Sequence, residues 1–130
     1  MPGRVLIVDD DEGFLMTTKQ LVELDGHQAL VASTYEEGRQ LLRSAEPDLL
    51  VADVGLGAFN GLQLIATAAL KIPVIVVSGL NDDVLQAEAR SMGADYLVKP
   101  FPPEDLLTRI ARKLSGSGGS SSDSPGPTSA

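Results

Sequence analysis

The chain contains no cysteine, which excludes disulfides and thiolate metal sites and permits a reducing compartment. It has no tryptophan and few aromatics of any kind, so a core must be built from aliphatic side chains. Basic residues are scarce: 10 Lys and Arg stand against 18 Asp and Glu, a net charge of −8. A nucleic-acid surface needs clustered Lys and Arg to meet phosphates, so none is expected here. No apolar run approaches the roughly 18 residues of a membrane span, and no membrane contact is expected. Met1-Pro2-Gly3-Arg4 leads directly into an apolar run, so no signal peptide is expected either.

What is present is aliphatic and periodic. At 130 residues the chain reads as one domain, residues 1–114, followed by a Ser/Gly/Pro tail, residues 115–130. The tail has no apolar periodicity to repay its ordering entropy and is expected to be disordered or a linker. Within the domain, Arg4-Val5-Leu6-Ile7-Val8, Gln28 to Ala32, Asp48 to Asp53, Val74 to Val77 and Tyr96-Leu97-Val98 read as five strands. Between them lie helical patterns. The first has Phe14, Leu15, Thr18, Leu21 and Val22 on its inner face and stops at Asp25-Gly26, with His27 a surface residue in the turn. Ser33-Thr34-Tyr35-Glu36 has the form of a capping box opening the second. The third is expected from about Gly61 to Leu70, with Leu62, Ile65, Ala66 and Ala69 as its stripe. The fourth is expected to be capped by Asn81 and to run to Met92. The fifth follows Pro102-Pro103, carrying Leu106, Leu107, Ile110 and Leu114 inward and Arg109, Arg112 and Lys113 outward. Strands this apolar, joined by helical crossovers, predict an α/β fold: a doubly wound parallel sheet with helices on both faces.

Parallel strands share their carboxyl edge, where open α/β sheets bind ligands. Asp9 and Asp10 stand at the end of the first strand, Asp53 at the third, Ser78 at the fourth and Lys99 at the fifth. Asp53 alone reads equally well as a loop cap, since a glycine-rich stretch, Val54 to Gly61, follows it. The other strand ends shift the balance. Three carboxylates suit a Mg²⁺ ion that keeps some of its waters. A hydroxyl and an ammonium beside them suit phosphoryl oxygens. Asp11 and Glu12 are read instead as acids favoured at a helix N-terminus.

In this order the motifs Val8-Asp9-Asp10, Asp53 with Gly61 eight residues on, Ser78-Gly79 and Tyr96-Leu97-Val98-Lys99-Pro100-Phe101 resemble the receiver domain of bacterial two-component response regulators, over residues 4 to about 114. The resemblance implies a flavodoxin-like (βα)5 sandwich of chemotaxis-regulator type, strand order 2-1-3-4-5. It implies Asp53 as phosphoacceptor, taking a phosphoryl group from a sensor histidine kinase or a histidine phosphotransfer protein in the cytoplasm. Asp9, Asp10, Asp53 and the backbone carbonyl of Gly55 would hold Mg²⁺. Ser78 and Lys99 would contact phosphoryl oxygens, Tyr96 would be the switch residue, and Lys99-Pro100 a cis peptide. The switched surface would be the fourth helix, fifth strand and fifth helix, where an output partner or a second copy docks.

The chain departs from the family pattern at Gly57, where Pro is usual, and at Gly79, where Ala is more frequent. The stretch from Asp53 to Ser78 is short by a few residues, and Gly93-Ala94-Asp95-Tyr96 by one. Two other classes use similar residues. A haloacid-dehalogenase-type phosphatase carries an Asp-x-Asp pair, which Asp9-x-Asp11 could mimic, but cap insertions and further downstream acids are not evident. A flavodoxin-like electron carrier needs a hydroxyl-rich phosphate loop where this chain has acids. A receiver that only docks, without phosphorylation, is a third alternative; the intact acids, Ser78 and Lys99 argue against it.

Overall fold

A computed structural model of the chain describes residues 3–54, 58–79 and 81–116. The elements alternate without exception: β1 (Arg4–Val8), α1 (Glu12–Leu24), β2 (Gln28–Ala32), α2 (Tyr35–Ser44), β3 (Leu49–Asp53), α3 (Ala58–Ala69), β4 (Val74–Ser78), α4 (Asp83–Ser91), β5 (Asp95–Val98) and α5 (Pro103–Gly116). The strands form one parallel sheet in the order β2-β1-β3-β4-β5. The expected order is therefore the observed one, and the fold is the flavodoxin-like doubly wound sandwich.

Side-chain alternation along each strand divides the core into two. Val5, Ile7, Leu49, Val51, Ile75 and Val77 meet Leu15 and Val22 of α1 and Leu106, Ile110 and Leu114 of α5. Leu6, Val8, Leu50, Ala52, Val74 and Val76 meet α2, α3 and α4 on the other face, through Tyr35, Leu64, Ile65, Ala68 and Ala89. The central strands β3 and β4 are buried at every position, which is why they read as unbroken apolar runs rather than alternating ones. Each fully buried Leu, Ile or Val contributes about 1.5–3 kcal/mol relative to an exposed one.

Several local readings shift. The cap of α2 is Thr34, whose hydroxyl accepts from Glu37 N at 3.1 Å, while Glu37 reaches back to the backbone N–H and hydroxyl of Ser33. Ser33 and Glu36 were expected in those roles. Two Ser/Thr-x-x-Glu registers overlap here, and the observed one buries Tyr35 and Gly38 against the sheet. The α3 helix begins at Ala58, a turn before the expected Gly61, and buries Leu64, Ile65 and Ala68, whereas Ala66 is exposed.

The cap of α4 is Asp82, accepting from Val84 N at 2.8 Å and Leu85 N at 3.1 Å. A carboxylate is the stronger acceptor at a helix N-terminus, and Asn81 instead accepts from the Gln86 side chain. That helix ends at Ser91 with Met92 as its cap, and Gly93, at φ +81°, makes the left-handed turn into β5. α5 runs to Gly116, past the expected end at residue 114. Arg109 and Lys113 do not point freely outward: both reach Asp95 on β5, at 3.1 and 3.0 Å. His27 is buried, not on the surface, because its Nδ1 accepts the Gly3 N–H at 3.1 Å and so ties the turn under the start of β1. The tail from residue 117 lies outside the described residues.

Candidate functional site

The carboxyl ends of β1, β3, β4 and β5 converge because the register places them side by side: Val8 pairs with Ala52, Asp53 with Val77, and Ser78 with Val98. Asp9 and Asp10 therefore follow β1 next to the end of β3, and Lys99 follows β5 next to Ser78. The Lys99 N–H donates to the Ser78 carbonyl at 2.7 Å, carrying the β4–β5 ladder one step into the site.

Carboxylate oxygens of Asp9, Asp10 and Asp53 all lie within 4.8 Å of one another. Asp9 is fully buried, Asp53 nearly so, and Asp10 is exposed. Asp9 accepts the Asp11 N–H at 2.9 Å on one oxygen and the Lys99 ammonium at 2.6 Å on the other. The same ammonium stands 3.6 Å from Asp53. One cation thus faces three acids, leaving two negative charges in excess, in an all-oxygen donor set open to water on the Asp10 side. That chemistry fits a hard divalent cation with part of its hydration shell retained. Ser78 is fully buried at the end of β4. Gly55, whose carbonyl the resemblance adds to the metal ligands, lies outside the described residues.

Asp11 does not face this cluster as a second acid of an Asp-x-Asp pair. It caps α1, accepting from Phe14 N at 3.2 Å. Tyr96 lies half-buried on β5, paired with Val76, and packs on the α2-α3-α4 side while Leu97 packs on the other. The Lys99–Pro100 peptide bond is cis.

Two aromatic residues at the site were not assigned a role from sequence. Phe14 places its ring 4.2 Å beneath the Lys99 ammonium and meets Phe101 edge to face, with ring centroids 6.3 Å apart. Tyr35 donates its hydroxyl to the backbone carbonyl of Asp53. Phe14 carried a signal, since it lies on the inner face of α1 one turn from Asp10. Tyr35 carried none, because it sits 18 residues from Asp53 and reads as an ordinary first residue of a helix.

The family model of the response regulator receiver domain matches residues 5–111, and the chain belongs to that family. Receiver domains are signalling phosphoacceptors rather than classical enzymes, and phosphorylation-dependent switching is their general role. Among relatives, the chain is 35% identical over 122 residues to protein PilH of Pseudomonas aeruginosa, covering 88% of this chain and 99% of PilH. It is 34% identical to the alginate biosynthesis transcriptional regulatory protein AlgB of the same species, covering 86% of this chain but only 26% of AlgB. The chain thus spans about a quarter of that longer regulator. Among solved structures, the receiver domain protein from Methanospirillum hungatei superposes with a TM-score of 0.83 at 32% identity, over 91% of this chain and 98% of that one. Among the described residues no helix is long and apolar enough to cross a membrane.

Proposed function

We propose that Asp53 is the phosphoacceptor and that a sensor histidine kinase or a histidine phosphotransfer protein is the donor. The observation that carries this reading is the Lys99 ammonium held between Asp9 and Asp53, beside three convergent carboxylates. An Asp53 oxygen attacks phosphorus, the bond from phosphorus to the donor breaks, and the donor leaves with the bonding pair. Lys99 meets the charge on the phosphoryl oxygens, and the Ser78 hydroxyl donates to another of them. Asp9, Asp10 and Asp53, with the Gly55 carbonyl, would hold Mg²⁺. Bound there, the ion supplies charge neutralisation for the incoming phosphoryl group.

The chain's own contribution to accelerating its phosphorylation and dephosphorylation is the placing of these groups. Drawing Ser78 toward a phosphorylated Asp53 shifts the equilibrium of Tyr96, the neighbouring switch residue, and with it the surface of α4, β5 and α5. An output domain or a second copy would read that surface. The same reading puts the chain in the cytoplasm, where such phosphorelays operate, and makes the tail a tether.

The test is incubation with acetyl phosphate followed by intact-mass measurement. One phosphoryl group should be gained with Mg²⁺ and none after chelation. A gain that persists in Asp53→Ala would overturn the assignment. Adding beryllofluoride, a phosphoryl mimic, should move the NMR signals of Tyr96 and α4 as well as those near Asp53.

A further inference from the structure

The peptide unit that follows Asp53 is anchored at both of its polar groups. Its N–H, on Val54, donates to the Val77 carbonyl at 3.3 Å and closes the β3–β4 ladder. Its C=O, on Asp53, accepts the hydroxyl of Tyr35. Tyr35 is the first residue of α2, with its ring buried in the core beside Val54 and Leu64. The hydroxyl can approach only because residue 61 is glycine. A Cβ there would lie 2.6 Å from the Tyr35 oxygen, 3.1 Å from its Cζ and 3.2 Å from Val54 Cα.

We propose that Tyr35 is a positioning residue for the phosphoacceptor, with Gly61 as the gap that admits it. A planar peptide leaves only φ and ψ free at each residue, so pinning both ends of this unit sets ψ of Asp53 and the direction in which its carboxylate leaves the strand. Asp53 must meet Lys99, the two other acids and an in-line phosphorus at once. Such alignment is sensitive to displacements of an ångström or less. The strand ladder holds the N–H side, and Tyr35 holds the carbonyl from the α2 layer, where no strand edge is available to do it. This role rests on the reading of Asp53 as phosphoacceptor and goes beyond it, since Tyr35 touches neither substrate nor metal.

The experiment compares the parent, Tyr35→Phe, Gly61→Ala and the double variant in the rate of phosphorylation by acetyl phosphate and in the Mg²⁺ concentration that half-saturates it. Val22→Ala, in the opposite core layer, serves as a variant destabilised without touching this contact. Tyr35→Phe should lower the rate about fivefold or more, the equivalent of one net hydrogen bond, and raise the Mg²⁺ requirement. Gly61→Ala should do the same. The double variant should fall well short of the product of the two effects, because both break one contact. Val22→Ala should melt earlier yet react within twofold of the parent. If Tyr35→Phe or Gly61→Ala melts earlier but keeps the parent's rate and Mg²⁺ dependence, or if their effects multiply, the positioning role is wrong. Gly61→Ala decides the matter should Tyr35→Phe fail to fold. A parent that takes no phosphate overturns the phosphoacceptor reading and this role together, which separates that failure from failure of Tyr35 alone.

Discussion

At the residue scale the site is a problem in holding one lysine. Lys99 has a flexible four-carbon stem, yet its ammonium must lie 2.6 Å from Asp9 and 3.6 Å from Asp53. Charge alone does not fix a lysine, because an ammonium is a point charge with many acceptable positions. The Phe14 ring, 4.2 Å from the ammonium, adds a third contact and is itself met edge-on by Phe101. A cation–π contact of this kind contributes about 0.5–2 kcal/mol, depending on how far the cation is desolvated. Replacing Phe14 by Leu keeps an apolar side chain on α1 but removes the ring face. Phosphorylation by acetyl phosphate should slow by a few-fold, with the Tm lowered only modestly, as a stopped time course and a melting curve would show. A Phe14→Leu protein reacting at the parent rate would mean that the two carboxylates suffice to place Lys99.

At the scale of elements, β5 and α5 are joined by a charged seam. Burial pushes the Asp95 carboxyl up, but the hydrogen bonds and charges of Lys113 and Arg109 outweigh it and hold the group below the usual carboxylate range. A carboxyl lowered in the folded state adds stability that is present above its unfolded value and is lost as pH falls through the folded one. Asp95 should therefore contribute at neutral pH and cease to do so in the acid range below about pH 4. Melting curves of the parent and Asp95→Asn should differ at pH 7 and draw together at low pH; a constant difference would place the effect in packing rather than charge.

This seam also shows where the sequence was legible. The central strands were readable because β3 and β4 are buried on both faces and stay apolar up to their last residues, Asp53 and Ser78. The acids, Ser78 and Lys99 were readable because a parallel sheet sends every strand end to one edge. What pairs across elements was not. Arg109 and Lys113 fall on the polar side of the α5 pattern, and the pairing of β5 with β4, which seats Asp95 opposite Ile75, is not written in either segment alone. The α2 cap was ambiguous for a different reason: Ser33 and Thr34 both cap well, Glu36 and Glu37 both reach back, and the choice is made by the burial of Tyr35.

At the scale of the whole molecule, the two core layers and the site serve one another. The sheet is rigid because both its faces are covered, and its rigidity keeps three carboxylates within 4.8 Å of one another despite their repulsion. Such repulsion is a cost in the resting protein, offset in part by Lys99, and a bound divalent cation would offset the rest. The strand ends thus gather charge at one edge of the sheet, and the β4–β5 register places Ser78 and Tyr96 on adjoining strands, as the proposed switch toward the α4-β5-α5 surface requires.

Under the proposed function one carboxylate, at the end of the middle strand, carries the phosphoryl group. An acyl phosphate is reduced by borohydride to the alcohol, so the modified aspartate becomes homoserine and can be located by peptide sequencing in a mass spectrometer. After treatment with acetyl phosphate and Mg²⁺, then borohydride, homoserine should appear at position 53 and at no other acid. Homoserine at Asp9, Asp10 or Asp11, or at none of the acids in a protein that had gained the mass of a phosphoryl group, would overturn the assignment of Asp53.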